Sequence, residues 1–182
     1  MSPRLPYLGD DDPRTQGDTG RAVRERRGGT LLNLDRMLLY SEPLAAGWNA
    51  YLGALRRRCS LPGKWRELAI VRVALLTRAG YEYAQHAPEA LACGVTQAQL
   101  DALAHWERAA PALFDDTERA VLAYADAMTQ QVQVSDAVYA RVHAALGDTQ
   151  LVELTATVAA YNMVARFLEA LQVTMDGEGA PR

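Results

Sequence analysis

The side chains best suited to chemistry in this chain are Glu67, Glu82 and His86. Glu67 lies in an almost wholly apolar run, and Glu82 and His86 follow shortly after Gly80. Because Glu82 and His86 are four residues apart, they share one face of a helix. A carboxylate one turn before a histidine can orient the imidazole and raise its basicity. Beside apolar surface, the three side chains suit proton transfer at neutral pH.

Each of these residues also has an ordinary structural explanation. A Glu near the start of a helix is favoured by the helix dipole, and this explanation fits both Glu67 and Glu82. A single His is more often exposed or hydrogen-bonded than catalytic, and Glu/His pairs at this spacing are frequent on helices. The residue pattern alone therefore leaves catalysis and packing as open alternatives.

Three further polar residues are candidates for the same site. Tyr81 precedes Glu82 and either supplies a phenolic donor or packs with its hydroxyl in water. Asn162 and Arg166 are four residues apart on an otherwise apolar helix, residues 158–171. Because buried polar groups need partners, we expect this pair to bind substrate, a carboxylate such as Glu67, or another subunit.

Composition excludes several classes of partner. Apolar residues make up 49% and charged residues 23% of the 182 residues, and the net charge is -3, as in soluble globular proteins. No block of like charge is long enough to predict nucleic-acid binding. No stretch approaches the roughly 20 apolar residues of a membrane span. Residues 1–29 contain no apolar signal segment, so we predict a cytoplasmic protein.

Cysteines and histidines do not predict a metal or redox centre. Cys59 and Cys93 do not form a CxxC motif and are interpreted as inert thiols. The three histidines, His86, His105 and His143, are scattered, which argues against a zinc site. We therefore predict no metal and no cofactor.

The elements that must position these residues are predicted to be helices throughout. Residues 1–29 have turn and breaker signals and are interpreted as a flexible N-terminal arm. Residues 30–173 show helical spacing of apolar residues and form one all-α domain, and residues 174–182 form a frayed tail. The helix that carries Glu67 is expected to end near Ala79, with Gly80 as its left-handed terminal residue. The next helix is expected to run from Tyr81 to about Cys93.

Two patterns concern the domain as a whole. Glu67–Leu68 and Glu153–Leu154 each stand at the start of a long apolar helix, which predicts a duplicated helical unit. Nearly every residue from Leu68 to Leu76 is apolar. A helix that is apolar all round must be buried on all sides, so we expect a homo-oligomer, with a C₂ dimer as the commonest closed form.

These motifs resemble the carboxymuconolactone decarboxylase-like, or alkylhydroperoxidase D-like, superfamily. The residues that carry the resemblance are Glu67, the run Tyr81–His86, the run Ala92–Thr96, and Glu153–Thr155 with Tyr161–Phe167. It covers most of residues 31–173. The resemblance implies an all-helical bundle of the alkylhydroperoxidase D-like type that assembles as dimers, trimers or hexamers.

The resemblance also separates two branches of that superfamily. In the peroxidase branch a Glu is followed by CxxC and by a His four residues after the second Cys. Glu67 and His86 match the Glu and the His, whereas Ala79 and Glu82 stand where the two Cys would be. Without those thiols a disulfide cycle cannot run through these positions. The chain is therefore more similar to the decarboxylase branch.

The resulting hypothesis is a cofactor-free acid/base enzyme, a decarboxylase, lyase or isomerase acting on a small carboxylated or lactone-like metabolite. His86 would move a proton to or from carbon, and Glu82 would orient His86. Glu67 would be the second acid/base group or would hold water, and Tyr81 would donate to a developing enolate. The alternatives are a peroxidase-related oxidoreductase and a non-catalytic oligomeric protein that binds small molecules.

Overall fold

The computed structural model describes residues 2–178, and every regular element in that range is helical. This confirms the all-α prediction. The α-helices are α1 Pro13–Gln16, α2 Asp18–Arg26, α3 Asn33–Leu38, α4 Glu42–Arg57, α5 Gly63–Thr77, α6 Gly80–Ala92, α7 Gln97–Ala102, α8 Asp116–Asp126 and α9 Asp136–Leu171. Two 3₁₀ helices, Leu103–Arg108 and Pro111–Leu113, and a π-helix, Ala127–Gln131, lie between α7 and α9.

The contacts of the described residues divide them into two compact units. The N-terminal unit contains the residues up to Arg58 together with those from Phe167 onward, and the central unit is Cys59–Arg166. Helix α9 begins in the central unit and ends in the N-terminal unit. All of the Glu/His candidates belong to the central unit.

The first 29 residues, predicted to be a flexible arm, contain α1 and α2. Tyr7, Leu8 and Val23 are buried, and the Arg36 guanidinium donates to the Leu8 carbonyl at 2.7 Å. This segment has few apolar residues among its Gly, Pro and charged residues, so sequence periodicity did not predict that Tyr7, Leu8 and Val23 are buried. They nevertheless anchor the segment within the N-terminal unit.

The predicted tail is also bonded within this unit as far as the structure describes it. The Asn33 amide N–H donates to Asp176 at 2.7 Å, and the Asn33 side chain donates to the carbonyls of Thr174 and Met175. Residues 179–182, the remainder of the predicted frayed tail, lie outside the described residues.

In the central unit α5 and α6 form a helical hairpin. Helix α5 is apolar on nearly all sides, and all its residues from Glu67 to Ala74 are buried. Its left-handed terminal residue is Arg78, with φ 58° and ψ 29°, whereas Gly80 already begins α6. The prediction for Gly80 was therefore wrong by two residues. The exposed Arg78 accepts the left-handed conformation, and the following Ala79 N–H closes the turn on the Ala74 carbonyl at 2.9 Å.

The α5–α6 hairpin packs on a shared core with α7 and α8. Phe114 and Leu103 fill the space between the helices and are at most 1% exposed. The Thr96 side chain caps α7 in the predicted capping box with Gln99. The other buried members of this core are Leu68, Val71, Ala90, Val95, Leu100, Trp106 and Leu122. This packing fixes the two helices that carry Glu67 and His86.

Helix α9 is long and apolar enough to cross a membrane by length and composition, with a mean hydropathy of 1.2 over its most apolar window. Half of that window is buried within the protein, as in the core helices of folded domains. The helix is also interrupted at Gly147, where φ is 72°.

Candidate acid/base site

Two helices bring the candidate residues together. Glu67 lies in the second turn of α5, and Glu82 and His86 lie on α6. The hairpin places Glu67 against His86, although the two residues are 19 positions apart in sequence. Glu67 and Glu82 are 3% exposed and His86 is 4% exposed. Three titratable side chains therefore share one buried cluster.

The shortest contact in the cluster joins Glu67 to His86. The Glu67 Oε2 and His86 Nδ1 atoms are 2.7 Å apart, and the other carboxylate oxygen accepts from Arg66 Nε at 3.0 Å. Burial acts to raise the pKa of Glu67, but the hydrogen bonds and charges of His86 and Arg66 outweigh it, so the pKa lies below its usual value. Glu67 is thus an ionised acceptor that holds the imidazole ring.

Glu82 faces the opposite side of the same ring. Its Oε2 atom is 3.7 Å from His86 Nε2, too long for a direct hydrogen bond. A neutral imidazole that donates from Nδ1 presents a lone pair at Nε2. With Glu67 accepting at Nδ1, the Nε2 atom is the ring nitrogen that faces the second carboxylate.

The ring of His86 is also fixed by an aromatic contact. Tyr161 from α9 packs edge-to-face against it, with ring centroids 4.9 Å apart and an interplanar angle of 86°. This is a favourable aromatic geometry. The hydrogen bond to Glu67 and this contact together restrict both the position and the plane of the imidazole.

The structure exchanges the places expected for the two carboxylates. The sequence favoured Glu82 as the group that orients His86, because it lies one turn earlier on the same helix. Glu67 instead makes the close contact at Nδ1, and Glu82 stands near Nε2. Helical spacing says which side chains share a face, but it does not say which ring nitrogen each one reaches.

The remaining predicted residues lie in different surroundings. Tyr81 is buried in the first turn of α6, 4% exposed. Asn162 donates to Thr129 at 2.9 Å and accepts from Arg166 at 2.7 Å, and Arg166 is exposed. The Asn162 side chain therefore forms hydrogen bonds with Arg166 and with Thr129 of the π-helix, and not with Glu67.

Sequence reasoning missed two contributors and set aside a third. Arg66 supports Glu67, and Tyr161 was interpreted as core. Arg66 is next to Glu67 in sequence, and Tyr161 is the first residue of the run Tyr161–Phe167 that carries the family resemblance. These positions were the signal in the sequence that could have identified the two residues. The Cys93 thiol lies near Glu67, and both burial and the Glu67 charge raise its pKa. It is therefore a thiol rather than a thiolate at neutral pH.

Residues 2–178 contain no group of three or more His, Cys, Asp or Glu side chains arranged to hold a metal ion.

A second buried charged cluster lies further along α5. Arg72, 4% exposed, makes a bidentate contact with Asp126, with Nε to Oδ1 at 2.6 Å and Nη2 to Oδ2 at 2.9 Å. Its Nη1 donates to the carbonyls of Leu103 and Ala104. Trp106 Nε1 donates to Asp126 at 3.0 Å. We refer to these residues as the Arg72 cluster and to Glu67, Glu82 and His86 as the Glu/His cluster.

Comparison with protein families gives one match. Residues 42–127 match the Carboxymuconolactone decarboxylase family. The matched segment includes all three members of the Glu/His cluster. No curated protein sequence matches the chain.

Solved structures with the same fold include three informative examples. A peroxidase-related protein from Silicibacter sp. TM1040 superposes with a TM-score of 0.80 at 17% identity, covering 100% of this chain and 96% of its own. The alkylhydroperoxidase AhpD core from Ralstonia eutropha JMP134 has a TM-score of 0.77 at 18% identity, with 98% and 95% covered. The debrominase Bmp8 in complex with 2,3,4-tribromopyrrole has a TM-score of 0.77 at 16% identity, with 98% and 95% covered. At these identities the similarity establishes the fold.

Proposed function

Because the chain belongs to the carboxymuconolactone decarboxylase-like, alkylhydroperoxidase D-like superfamily, we propose that it is a cofactor-free acid/base enzyme. Its substrate would be a small carboxylated or lactone-like metabolite, and its reaction a decarboxylation or a proton shift. The observation that carries the proposal is the buried His86, with Glu67 2.7 Å from Nδ1 and Glu82 3.7 Å from Nε2.

In this proposal His86 Nε2 moves the proton. Glu67 accepts the Nδ1–H hydrogen bond, holds the ring in one tautomer, and stabilises the imidazolium as it forms. In a decarboxylation the bond to the departing carboxylate breaks and its electron pair enters a conjugated carbonyl as an enolate. His86, protonated at Nε2 by a proton taken up from solvent, gives that proton to the enolate carbon as carbon dioxide leaves, and solvent protonates the imidazole again for the next turnover. In an isomerisation His86 takes the proton from one carbon and delivers it to another.

Glu82 and Tyr81 would act on the substrate side of the ring. The distance between Glu82 and Nε2 is longer than a hydrogen bond. Glu82 would therefore share the proton of Nε2 only when a substrate oxygen or carbon approaches that nitrogen. Tyr81, buried in the same helical turn as Glu82, is our candidate donor to an enolate oxygen. Asn162 and Arg166 stay secondary candidates for substrate binding, because Arg166 is exposed and cationic.

A peroxidase-related oxidoreductase is the weaker alternative. Disulfide chemistry needs two thiols within bonding distance, and Ala79 and Glu82 occupy the positions of that pair. Cys93 has its pKa raised by burial and by Glu67, which opposes formation of the reactive thiolate. These facts favour proton transfer over thiol redox chemistry at this site.

The decisive experiment screens the purified full chain against small β-keto acids and unsaturated lactones. Carbon dioxide release and uptake of solvent deuterium report the two reaction types. For any substrate that reacts, we expect His86→Asn to lower the rate by about 10²–10⁴-fold, the usual contribution of a placed general base.

His143→Asn is the matched control. His143 also contacts a carboxylate, Asp148, at 2.6 Å, but it is exposed. Its replacement should leave the rate unchanged. Full activity in a folded His86→Asn variant would contradict the proposal and favour the non-catalytic binding protein.

We also propose that the chain works as a homo-oligomer. Three large apolar side chains of the central unit are exposed, Val132 at 81%, Val152 at 68% and Tyr139 at 49%, which is unfavourable in water. Sedimentation equilibrium at micromolar concentration measures the mass directly. A monomeric mass over that range would reject the proposal.

A further inference from the structure

The part of helix α9 that follows its interruption has an apolar outer face. Leu154 and Val158 are fully buried, because one side of the helix lies in the core of the central unit. On the opposite side Val152 is 68% exposed and Met163 is 41% exposed. A surface helix normally presents polar side chains on the side away from the core. An apolar face turned to solvent instead indicates a surface that another molecule covers.

The exposed apolar side chains follow one line along this helix. Steps of four, three and four residues lead from Val152 to Ala156, Ala159 and Met163. Ala159 is exposed and Ala156 is partly exposed. At about 3.6 residues per turn these steps keep the four side chains in one narrow stripe, and the same alternation of steps joins two helices in a coiled coil. We refer to these four residues as the α9 stripe.

Side chains of opposite charge stand at the two ends of the α9 stripe. Asp148 precedes Val152 by four residues, and its side chain is 93% exposed. Arg166 follows Met163 by three residues and is exposed. Its Nη1 donates to the Asn162 carbonyl at 2.8 Å and to Asn162 Oδ1 at 2.7 Å, which holds the guanidinium in place. The stripe therefore has a negative end and a positive end.

The α9 stripe is complementary to itself when two copies of the helix lie antiparallel. A two-fold axis between Ala156 and Ala159 brings Val152 level with the partner's Met163. The same axis brings Ala156 level with the partner's Ala159. Small side chains at the centre let the two helix axes approach closely, and the larger side chains then cover each other on both sides of the centre. Each contact occurs twice, as in any isologous interface.

The charges at the ends of the stripe favour this direction. In the antiparallel pair Asp148 lies within one residue of the level of the partner's Arg166, or about 1.5 Å of helix rise. The two positions are 18 residues apart in the chain, which is about five full turns, so both lie on the same side of the stripe. In a parallel pair each of them would face its own like charge, which is unfavourable. Charge complementarity therefore points to an antiparallel second copy.

We propose that the α9 stripe is the interface at which a second copy of this chain binds antiparallel, with Arg166 paired to the partner's Asp148. This inference rests on the proposed homo-oligomer and adds the surface and the symmetry by which it forms. Burial of the apolar side chains drives the association. The exposed ion pairs contribute little energy, but they fix the direction of the two helices. Of the partners that the sequence allowed for Arg166, this interface selects another subunit.

Sedimentation equilibrium of the full chain at micromolar concentration tests the interface. We expect a dimer or an even multiple of it. Met163→Lys should weaken association at least about tenfold, because it buries an unpaired charge at the contact. Leu91→Lys is the matched control, since Leu91 lies on α6 of the same unit and is 42% exposed. It should leave the mass unchanged, and circular dichroism should show that both variants are folded.

The outcomes separate this interface from the homo-oligomer in general. A monomeric wild type would reject both. An associating wild type with equal association in Met163→Lys would reject only the α9 stripe. An odd-numbered assembly, such as a trimer, would reject the two-fold pairing, and equal weakening by Leu91→Lys would show that any added lysine disperses the protein and would also reject the specific interface.

Exchange of charges tests the antiparallel direction. Arg166→Glu and Asp148→Lys should each weaken the dimer about tenfold, because each variant places two like-charged pairs in the interface. An equimolar mixture of the two variants should associate within about threefold of the wild-type affinity, since the mixed dimer has opposite charges at both ends. A folding defect in either variant could not be repaired by mixing. Wild-type affinity in both single variants, or no recovery in the mixture, would overturn the antiparallel pairing.

A lipid bilayer is the competing occupant of an apolar helix face. Flotation of the full chain with phosphatidylcholine vesicles measures this alternative. We expect no flotation of the wild type. A monomer that floats with the vesicles, and no longer does so as Met163→Lys, would overturn the proposal and assign the α9 stripe to a membrane surface.

Discussion

Helix α5 contributes a buried charged side chain to each of two clusters that differ in the chemical type of the group that meets the carboxylate. In the Arg72 cluster the guanidinium meets a carboxylate through two hydrogen bonds and meets two carbonyls as well. In the Glu/His cluster one imidazole nitrogen makes a 2.7 Å contact while the other faces a carboxylate at 3.7 Å. One arrangement is built on a guanidinium and the other on an imidazole.

The difference shows that burial of charge does not by itself identify a functional site. Each cluster contains a buried charged residue of α5, and each pairs a cation-forming group with a carboxylate. An arginine stays protonated at any pH that leaves the protein folded, so the Arg72 cluster can only hold the structure together. A histidine changes charge near neutral pH, so the Glu/His cluster can also do chemistry.

The largest expected effect is on folding and comes from the Arg72 cluster. Arg72→Met keeps a long side chain, but it leaves the Leu103 and Ala104 carbonyls without the guanidinium and leaves Asp126 with Trp106 as its remaining side-chain donor in the cluster. Breaking a buried ion pair in this way costs about 3–5 kcal/mol. Urea denaturation followed by circular dichroism measures the loss, with the exposed Arg78→Met as the control. The double variant Arg72→Met with Asp126→Leu should recover part of the lost stability. If Arg72→Met were as stable as the wild type, the Arg72 cluster would not be needed for folding and the prediction would be wrong.

The second prediction concerns rate rather than folding. His86→Asn should lower the rate by about 10²–10⁴-fold but should destabilise the protein less than Arg72→Met does. Glu82→Gln should cost less rate than His86→Asn, because Glu82 is 3.7 Å from Nε2. Since the residues would act as a unit, the double variant should be little slower than His86→Asn alone. Additive losses in the double variant would mean that Glu82 and His86 act separately.

The third prediction uses pH to distinguish the clusters. The pKa of Glu67 in the folded protein lies below its ordinary value of 4.5, so its ionised form stabilises the fold. This contribution is fully present above pH 4.5 and is lost as the pH falls through the lower folded-state pKa. Glu67→Gln should therefore have a lower free energy of unfolding than the wild type at pH 6. This difference should become smaller as the solution is acidified towards pH 3.

The control for this experiment is Arg72→Lys, in which the altered group stays positively charged over the same pH range. Between pH 6 and pH 4.5 the stability deficit of Arg72→Lys relative to the wild type should change little. Below pH 4.5 the deficit of Glu67→Gln should change by more than that. A Glu67→Gln deficit that is constant down to pH 3 would show that folding does not lower the pKa of Glu67.

The smallest effect is expected from the cysteines. Replacing both Cys59 and Cys93 with Ser should leave specific activity largely unchanged, apart from a modest packing loss. The Cys93 sulfur lies close to Gly63, since a Cβ atom added to Gly63 would be 2.9 Å from Cys93 Sγ. The smaller oxygen of Ser fits the same space. Loss of activity in a folded double variant would revive the peroxidase-related alternative.

Sequence periodicity predicted the all-α fold and most helix boundaries because each boundary has a local cause. The capping box at Thr96 and the interruption at Gly147 are examples. The end of α5 was misplaced because Arg78, not the nearby Gly80, takes the left-handed conformation. The π-helix at residues 127–131 had no local signal, and neither did the division of the chain into two units.

The candidate site was only partly predictable for a similar reason. The spacing of Glu82 and His86 is a local property, and the sequence contained it. The contact of Glu67 with Nδ1 depends on how α5 packs against α6, which no spacing rule supplies. Arg72 was treated only as an interruption of an apolar run. The rule that buried charges need partners, applied there as it was to Asn162 and Arg166, would have predicted a carboxylate such as Asp126.

The short connection between α5 and α6 has a kinetic consequence. The Glu67–His86 contact closes a loop of 19 residues, whereas the Arg72–Asp126 contact closes one of 54. Shorter loops cost less chain entropy to close, and local contacts are those that form early in folding. We expect the Glu67–His86 contact to be formed in the folding transition state and the Arg72 cluster to close afterwards. Weakening the hairpin would then slow refolding, whereas weakening the Arg72 cluster would mainly accelerate unfolding.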